Sequence, residues 1–157
     1  MSNSRQKLQD MLGFLIGKWS GSGENPEGKY KVELDFSWKM DCFLFMEAIY
    51  IKGETTILKE EAIFSIDKTL GSTLMGRWLN SEGYIEECVG DSHNGEYVFR
   101  MARGENFPEG LRLRRIWTIR SDSEIHVTLE LASEGEQFAP YAQTFLKKVL
   151  EQDNSRN

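Results

Sequence analysis

The side chains able to do chemistry in this sequence are few, and their spacing narrows the options. His93 and His126 are the only two histidines. Imidazole suits zinc, copper and haem iron. Neither has a second ligand at metal spacing, because no Cys-x-x-Cys and no His-Glu-x-x-His occurs. His126 falls on the polar phase of its strand and His93 adjoins a tight turn, so both are expected to face solvent. No metal and no cofactor is expected. Nucleophilic catalysis has no Gly-x-Ser-x-Gly elbow to rest on. Cys88 follows Glu86 and Glu87, whose charge opposes the thiolate that a reactive cysteine needs. Cys42 and Cys88 both lie in strand-like runs and read as free, buried, apolar fillers. Adjacent Glu60-Glu61 and Glu86-Glu87 point to opposite faces of a strand. Neither is an acid/base dyad within one strand; one member of each should be solvated and the other at a barrel mouth or bound to Arg. No catalytic residue is assigned. Gly21-Ser22-Gly23 lacks the rest of a phosphate loop and, with Pro26 and Gly28, reads as a flexible mouth loop.

One arginine stands apart. Leu111, Leu113, Arg115, Trp117 and Ile119 share a strand face, which puts Arg115 on the apolar side. A buried guanidinium must be paired or stacked. Arg77 lies in a run that is apolar on both faces, so its direction is undetermined. Arg112, Arg114 and Arg115 could make a local basic patch.

The elements that must position these groups are strands. Tyr30, Val32, Leu34, Phe36, Trp38 and Met40 alternate with Lys31, Glu33, Asp35, Ser37 and Lys39. Ile125, Val127, Leu129 and Leu131 alternate with His126, Thr128 and Glu130. Period-two alternation marks a strand with one buried face. Weaker runs cover roughly 43–51, 58–66, 72–79, 84–89, 96–102, 111–119 and 137–149, and turn signals separate them. Asn94-Gly95 is the strongest of these signals, since a type I′ hairpin turn needs positive φ at both residues. Connections this short leave no room for crossover helices. Upstream, Leu8, Met11, Leu12 and Leu15 recur at helical spacing, and Gly17 should end the segment. The expected fold is all-β: a single antiparallel up-and-down barrel of about ten strands with a short N-terminal helix covering one end. One domain spans 1–157, with the barrel over approximately 12–149 and a polar, frayed tail at 151–157.

The run from Leu12 to Gly21, with Gly17-Lys18-Trp19 leading a helical turn into the first strand, resembles the opening of calycins, the lipocalins and fatty-acid-binding proteins. Together with Gly76-Arg77-Trp78, Ser81-Glu82-Gly83 and the Arg-rich strand 111–119, it is similar to an uncharacterised bacterial lipocalin-like family of the DUF1579 type. That resemblance spans roughly 12–149 and implies a fold rather than an activity. It makes Gly17 and Trp19 a structural signature, with Trp19 at the closed end and a late-strand Arg across it. Arg115 is therefore read as closing the barrel over Trp19 in preference to anchoring a ligand carboxylate, the role that fatty-acid-binding barrels suggest. Nitrobindin-type haem barrels open in a similar way but carry a His near the C-terminal strand; here Phe138 to Leu146 contains none.

The 157 residues carry a net charge of −6, which argues against a nucleic-acid partner. The N-terminus lacks the apolar stretch of a signal peptide and no run could span a bilayer, so a cytoplasmic monomer or homodimer is expected. Ten strands exceed the roughly eight whose side chains just fill a barrel, which favours a cavity. Its expected lining is Tyr30, Phe36, Trp38, Arg77, Trp78, Tyr97, Phe99, Arg115 and Trp117. The leading reading is a non-enzymatic barrel for a small, mostly apolar ligand. The alternatives are a haem or tetrapyrrole barrel, an enzyme using the same cavity, and an interaction module with a solid core.

Overall fold

Alternation converts directly into a wall with two faces. In the computed structural model, which describes residues 3–150, Tyr30, Val32, Leu34 and Phe36 are buried while the residues between them are exposed. The same rule builds ten strands: β1 Gly17–Asn25, β2 Gly28–Lys39, β3 Phe43–Lys52, β4 Thr55–Asp67, β5 Thr73–Asn80, β6 Ile85–His93, β7 Glu96–Glu105, β8 Arg112–Ser121, β9 Glu124–Ala132 and β10 Ala139–Lys148. Each pairs antiparallel with its sequence neighbours, and β1 pairs with β10 to close the barrel. The expected up-and-down barrel with one short N-terminal helix is the fold observed. Closure leaves no strand edge exposed. The tail expected at 151–157 lies outside the described residues.

Some local expectations are corrected. The predicted mouth loop around Gly21 and Gly23 is regular β1 strand, and both glycines face inward. Gly23 is there for space: a Cβ on it would sit 2.6 Å from the Tyr30 hydroxyl oxygen and collide with the Gln143 carbonyl. Met40 and Cys42 fall in the β2–β3 turn and are exposed, so Cys42 is not a buried filler. Asn94 and Gly95 do both adopt positive φ.

The helix α1, Asn3–Leu12, runs into a 3₁₀ turn at Gly13–Leu15 and plugs one end of the barrel. Leu8, Leu12 and Leu15 are fully buried there. A helix C-terminus leaves carbonyls without intrahelical partners, and here side chains from the wall supply donors. The Tyr97 hydroxyl donates to Met11 O at 2.8 Å, Lys148 Nζ to Phe14 O at 2.8 Å and Trp19 Nε1 to Leu15 O at 2.7 Å. The plug is thus fastened to β7, β10 and β1. Above it, Phe64, Trp78, Phe99 and Trp117 pack ring against ring, with centroids 5.0–6.4 Å apart. Such edge-to-face packing of large rings occupies much of the interior.

Candidate functional site

Opposite the plug the barrel is open, and the space inside comes in two connected levels. An inner cavity of about 50 Å³ is lined mainly by apolar side chains, among them Val32, Leu34, Phe36, Trp78 and Trp117. A mouth space of about 150 Å³ is lined by Tyr30, Ile57, Leu58, Leu129 and Tyr141. Tyr50, Glu60, Arg115, Val127 and Thr144 line both, so the polar groups sit at the boundary between the levels. Ten strands do not make the barrel wholly hollow, because the aromatic cluster occupies much of the interior, and the inner cavity that remains reaches Leu15 of the plug. The remaining volumes fall below the roughly 300–1,000 Å³ of clefts for drug-sized ligands.

Arg115 is the centre of the boundary. It points inward from β8, as its phase on the strand requires, and reaches across to carboxylates on two other strands. Its Nη2 donates to Glu86 Oε1 at 2.9 Å, its Nη1 donates to Glu86 Oε2, and Glu60 Oε2 lies 3.6 Å from Nη2. The guanidinium also lies 4.4 Å from the centre of the Trp78 ring. All three charged groups are buried. The expected contact with Trp19 does not form. Trp19 lies at the plug end, as its resemblance to the calycin opening implies, but the nearest cation over its ring is Lys148 at 5.8 Å. The closure role assigned to Arg115 passes to Lys148, which bonds the plug directly.

Electrostatics follow from this burial. Desolvation alone would lower the Arg115 pKa, but the Glu86 and Glu60 carboxylates outweigh it and hold the guanidinium more firmly protonated than usual. Burial raises the pKa of Glu60; the nearby Arg115 opposes that rise and Glu86 adds to it. The Tyr50 hydroxyl donates to Glu60 Oε1 at 3.2 Å, and burial followed by the Glu60 charge pushes its own pKa well up. Cys88, inward on β6 beside Glu86, is pushed up to about 12, chiefly by burial, so it is no thiolate nucleophile. The Tyr30 and Thr144 hydroxyls share a bond of 2.7 Å. Extra residues bend the wall here: Ile57 and Tyr141 lack register partners on the neighbouring strand, and both face the mouth. Bulges of this kind re-aim side chains beside functional sites.

The other sequence-predicted lining residues divide. Phe36, Trp78 and Trp117 line the inner cavity, and Tyr30 lines the mouth. Phe99 is fully buried within the aromatic cluster. Tyr97 holds the plug. Trp38 is half-buried beneath the Arg5 guanidinium, 3.2 Å from the ring centre. Arg77 faces outward and pairs with Glu87 at 3.1 Å. The triple-arginine patch that the sequence allowed does not form: Arg115 is inside, Arg114 pairs with Glu130, and Arg112 donates to Glu136 O. His126 is on the outer wall but is not freely solvated, since its ring stacks on Phe145 with centroids 4.3 Å apart. Neither imidazole lines the cavity or the mouth.

Glu60, Glu86, Tyr50 and Thr144 were missing from the predicted site. For the two carboxylates the signal was present. Glu60 is in phase with buried Ala62 and Phe64, and Glu86 with buried Cys88 and Gly90. Two inward carboxylates and one inward arginine in one barrel imply a common meeting point.

No protein-family model matches the chain, and no curated relative matches it in sequence. Solved structures do match. Rv2717c from M. tuberculosis superposes with a TM-score of 0.66 at 15% identity, covering 90% of this chain and 97% of its own. The S-type phycobiliprotein lyase CPES from Guillardia theta superposes with a TM-score of 0.61 at 10% identity, covering 92% of this chain and 94% of its own. At such identities these likenesses show the fold alone, a ten-stranded antiparallel barrel.

Proposed function

We propose that the barrel binds a small, mostly apolar ligand that enters by the mouth opposite the helical plug. The observation that carries this reading is the apolar inner cavity that shares Tyr50, Glu60, Arg115, Val127 and Thr144 with the open mouth. Apolar walls with a few convergent polar groups are the usual composition of a ligand site, and barrel mouths are a usual place for one. The size of the spaces limits the buried part of the ligand to about one ring or a short chain. A flat tetrapyrrole would have to displace the Phe64, Trp78, Phe99 and Trp117 cluster, so the small-ligand reading stands ahead of a haem barrel. On the motifs Gly17-Lys18-Trp19 and Gly76-Arg77-Trp78 we place the chain with lipocalin-like proteins of the DUF1579 type, working in the cytoplasm.

The test is a titration of the full chain with 3-phenylpropan-1-ol, followed by tryptophan emission, since Trp78 and Trp117 line the inner cavity. Saturable change is expected in the parent protein, and its loss in Val127→Phe, which fills the boundary between the two levels without adding a tryptophan. An unsaturable response, or one that survives the filled boundary, rules the reading out.

A further inference from the structure

The polar groups at the cavity boundary have a definite sign, and it is the opposite of what a fatty-acid carrier needs. Among the described residues Arg115 is the only basic side chain lining either space, and it is already committed. Both its terminal nitrogens bond Glu86, the second also approaches Glu60, and Trp78 lies against its plane. Two carboxylates face one guanidinium. A ligand carboxylate arriving here would find no free cation and would meet surplus negative charge in a medium of low dielectric, where like charges repel strongly.

Glu60 differs from Glu86 in where it looks. Glu86 is gripped on both oxygens by Arg115 and lines neither space. Glu60 lines both spaces and accepts only the long 3.2 Å bond from Tyr50, besides its loose 3.6 Å approach to Arg115. A carboxylate has about four lone-pair positions, so Glu60 retains acceptor capacity on the side that faces the ligand space. Around it stand the Tyr30 and Tyr50 rings, packed edge to face at 5.5 Å, and aromatic rings attract cations.

We propose that the site takes a ligand whose head is a hydrogen-bond donor, a protonated amine or amidine on a small apolar body, seated on Glu60 between Tyr30 and Tyr50, and that it discriminates against carboxylates. This rests on the binding reading above and adds the ligand's chemical class. Burial raises the pKa of Glu60 and the Arg115 charge opposes that rise; a cationic head seated beside Glu60 would oppose it in the same way. The other titratable groups that face the boundary are Arg115, Glu86, Cys88, Tyr30, Tyr50 and Tyr141. Burial raises the pKa of Tyr30, Tyr50 and Cys88, and the two carboxylates hold Arg115 protonated.

Three probes with one body and different heads test this: 3-phenylpropylamine, 3-phenylpropan-1-ol and 3-phenylpropionate. Calorimetric titration of the full chain is expected to show the amine binding tighter than the carboxylate by about tenfold or more, as a charge-assisted bond predicts. Glu60→Gln, whose carboxamide keeps the shape but carries no charge, is expected to abolish the advantage of the amine over the alcohol. Tyr50→Phe, which retains the ring, is expected to narrow the advantage without abolishing it, and serves if Glu60→Gln folds poorly. A carboxylate that binds as well as the amine, or an amine preference untouched by both variants, overturns the assignment of the head while leaving a binding barrel. Failure of all three probes to bind overturns the binding reading, and this one with it.

Discussion

Arg115 and Glu86 form a two-pronged ion pair inside the barrel, with both terminal nitrogens of the guanidinium donating to both oxygens of the carboxylate. The two residues come from β8 and β6, so the pair ties together strands that are not neighbours in the sheet. Removing one partner of such a pair strands the other charge in a poorly solvated place. Arg115→Met should therefore cost about 3–5 kcal/mol in a denaturant melt. Arg115→Met with Glu86→Gln should recover part of that loss, because the stranded carboxylate is gone. A single variant as stable as the parent would show that the pair contributes nothing that the apolar surroundings do not.

Glu60 gives the protein a characteristic pH response. Its pKa is raised in the folded state, chiefly by burial, above an ordinary value of 4.5. The folded protein therefore holds this proton over a range in which the unfolded chain has lost it. The contribution of Glu60 to stability is greatest below that ordinary value and is lost as pH rises through the folded pKa. Denaturant midpoints measured from pH 4.5 upward should fall more steeply for the parent than for Glu60→Gln, whose carboxamide does not titrate. Parallel curves would place the pH response elsewhere.

The two thiols should separate cleanly. Cys42 is exposed in a turn, whereas Cys88 is buried with a pKa pushed up to about 12. Thiolate is the reactive form. A thiol-reactive reagent at neutral pH should modify Cys42 quickly and Cys88 only on unfolding. Mass spectrometry of the native protein should show one adduct, and of the denatured protein two. Rapid double labelling under native conditions would mean that the β6 wall opens readily.

Strand existence and direction were legible because each depends on the nearest few residues. The alternation at Tyr30–Phe36 dictates which side chains go inward whatever the rest of the chain does, and Asn94-Gly95 carries its own turn geometry. The meeting of Arg115 with Glu60 and Glu86 was harder to see, because it depends on the arrangement of β4, β6 and β8 around a common axis. Trp19 drew attention as a partner for Arg115 through family resemblance, whereas the phase of Glu60 and Glu86 on their own strands would have pointed to the correct partners. Cavity volume was illegible for another reason. Whether ten strands enclose space depends on where Phe64, Trp78, Phe99 and Trp117 lie in height along the barrel, and period two reports side, not height.

Closure of the wall by β1 against β10 has a kinetic consequence. Every other pairing joins consecutive strands, but this seam brings Trp19 beside Lys148. The chain must hold nearly its whole length in order before that contact yields anything, and such long-range contacts slow folding. The hairpins can form early, while the seam and the plug that Lys148 fastens must wait. A permuted chain that joins the two termini and opens instead at the β5–β6 turn would leave only the linker and the plug segment between β10 and β1. It would transfer the slow search to a different pair of strands without altering the architecture at the end.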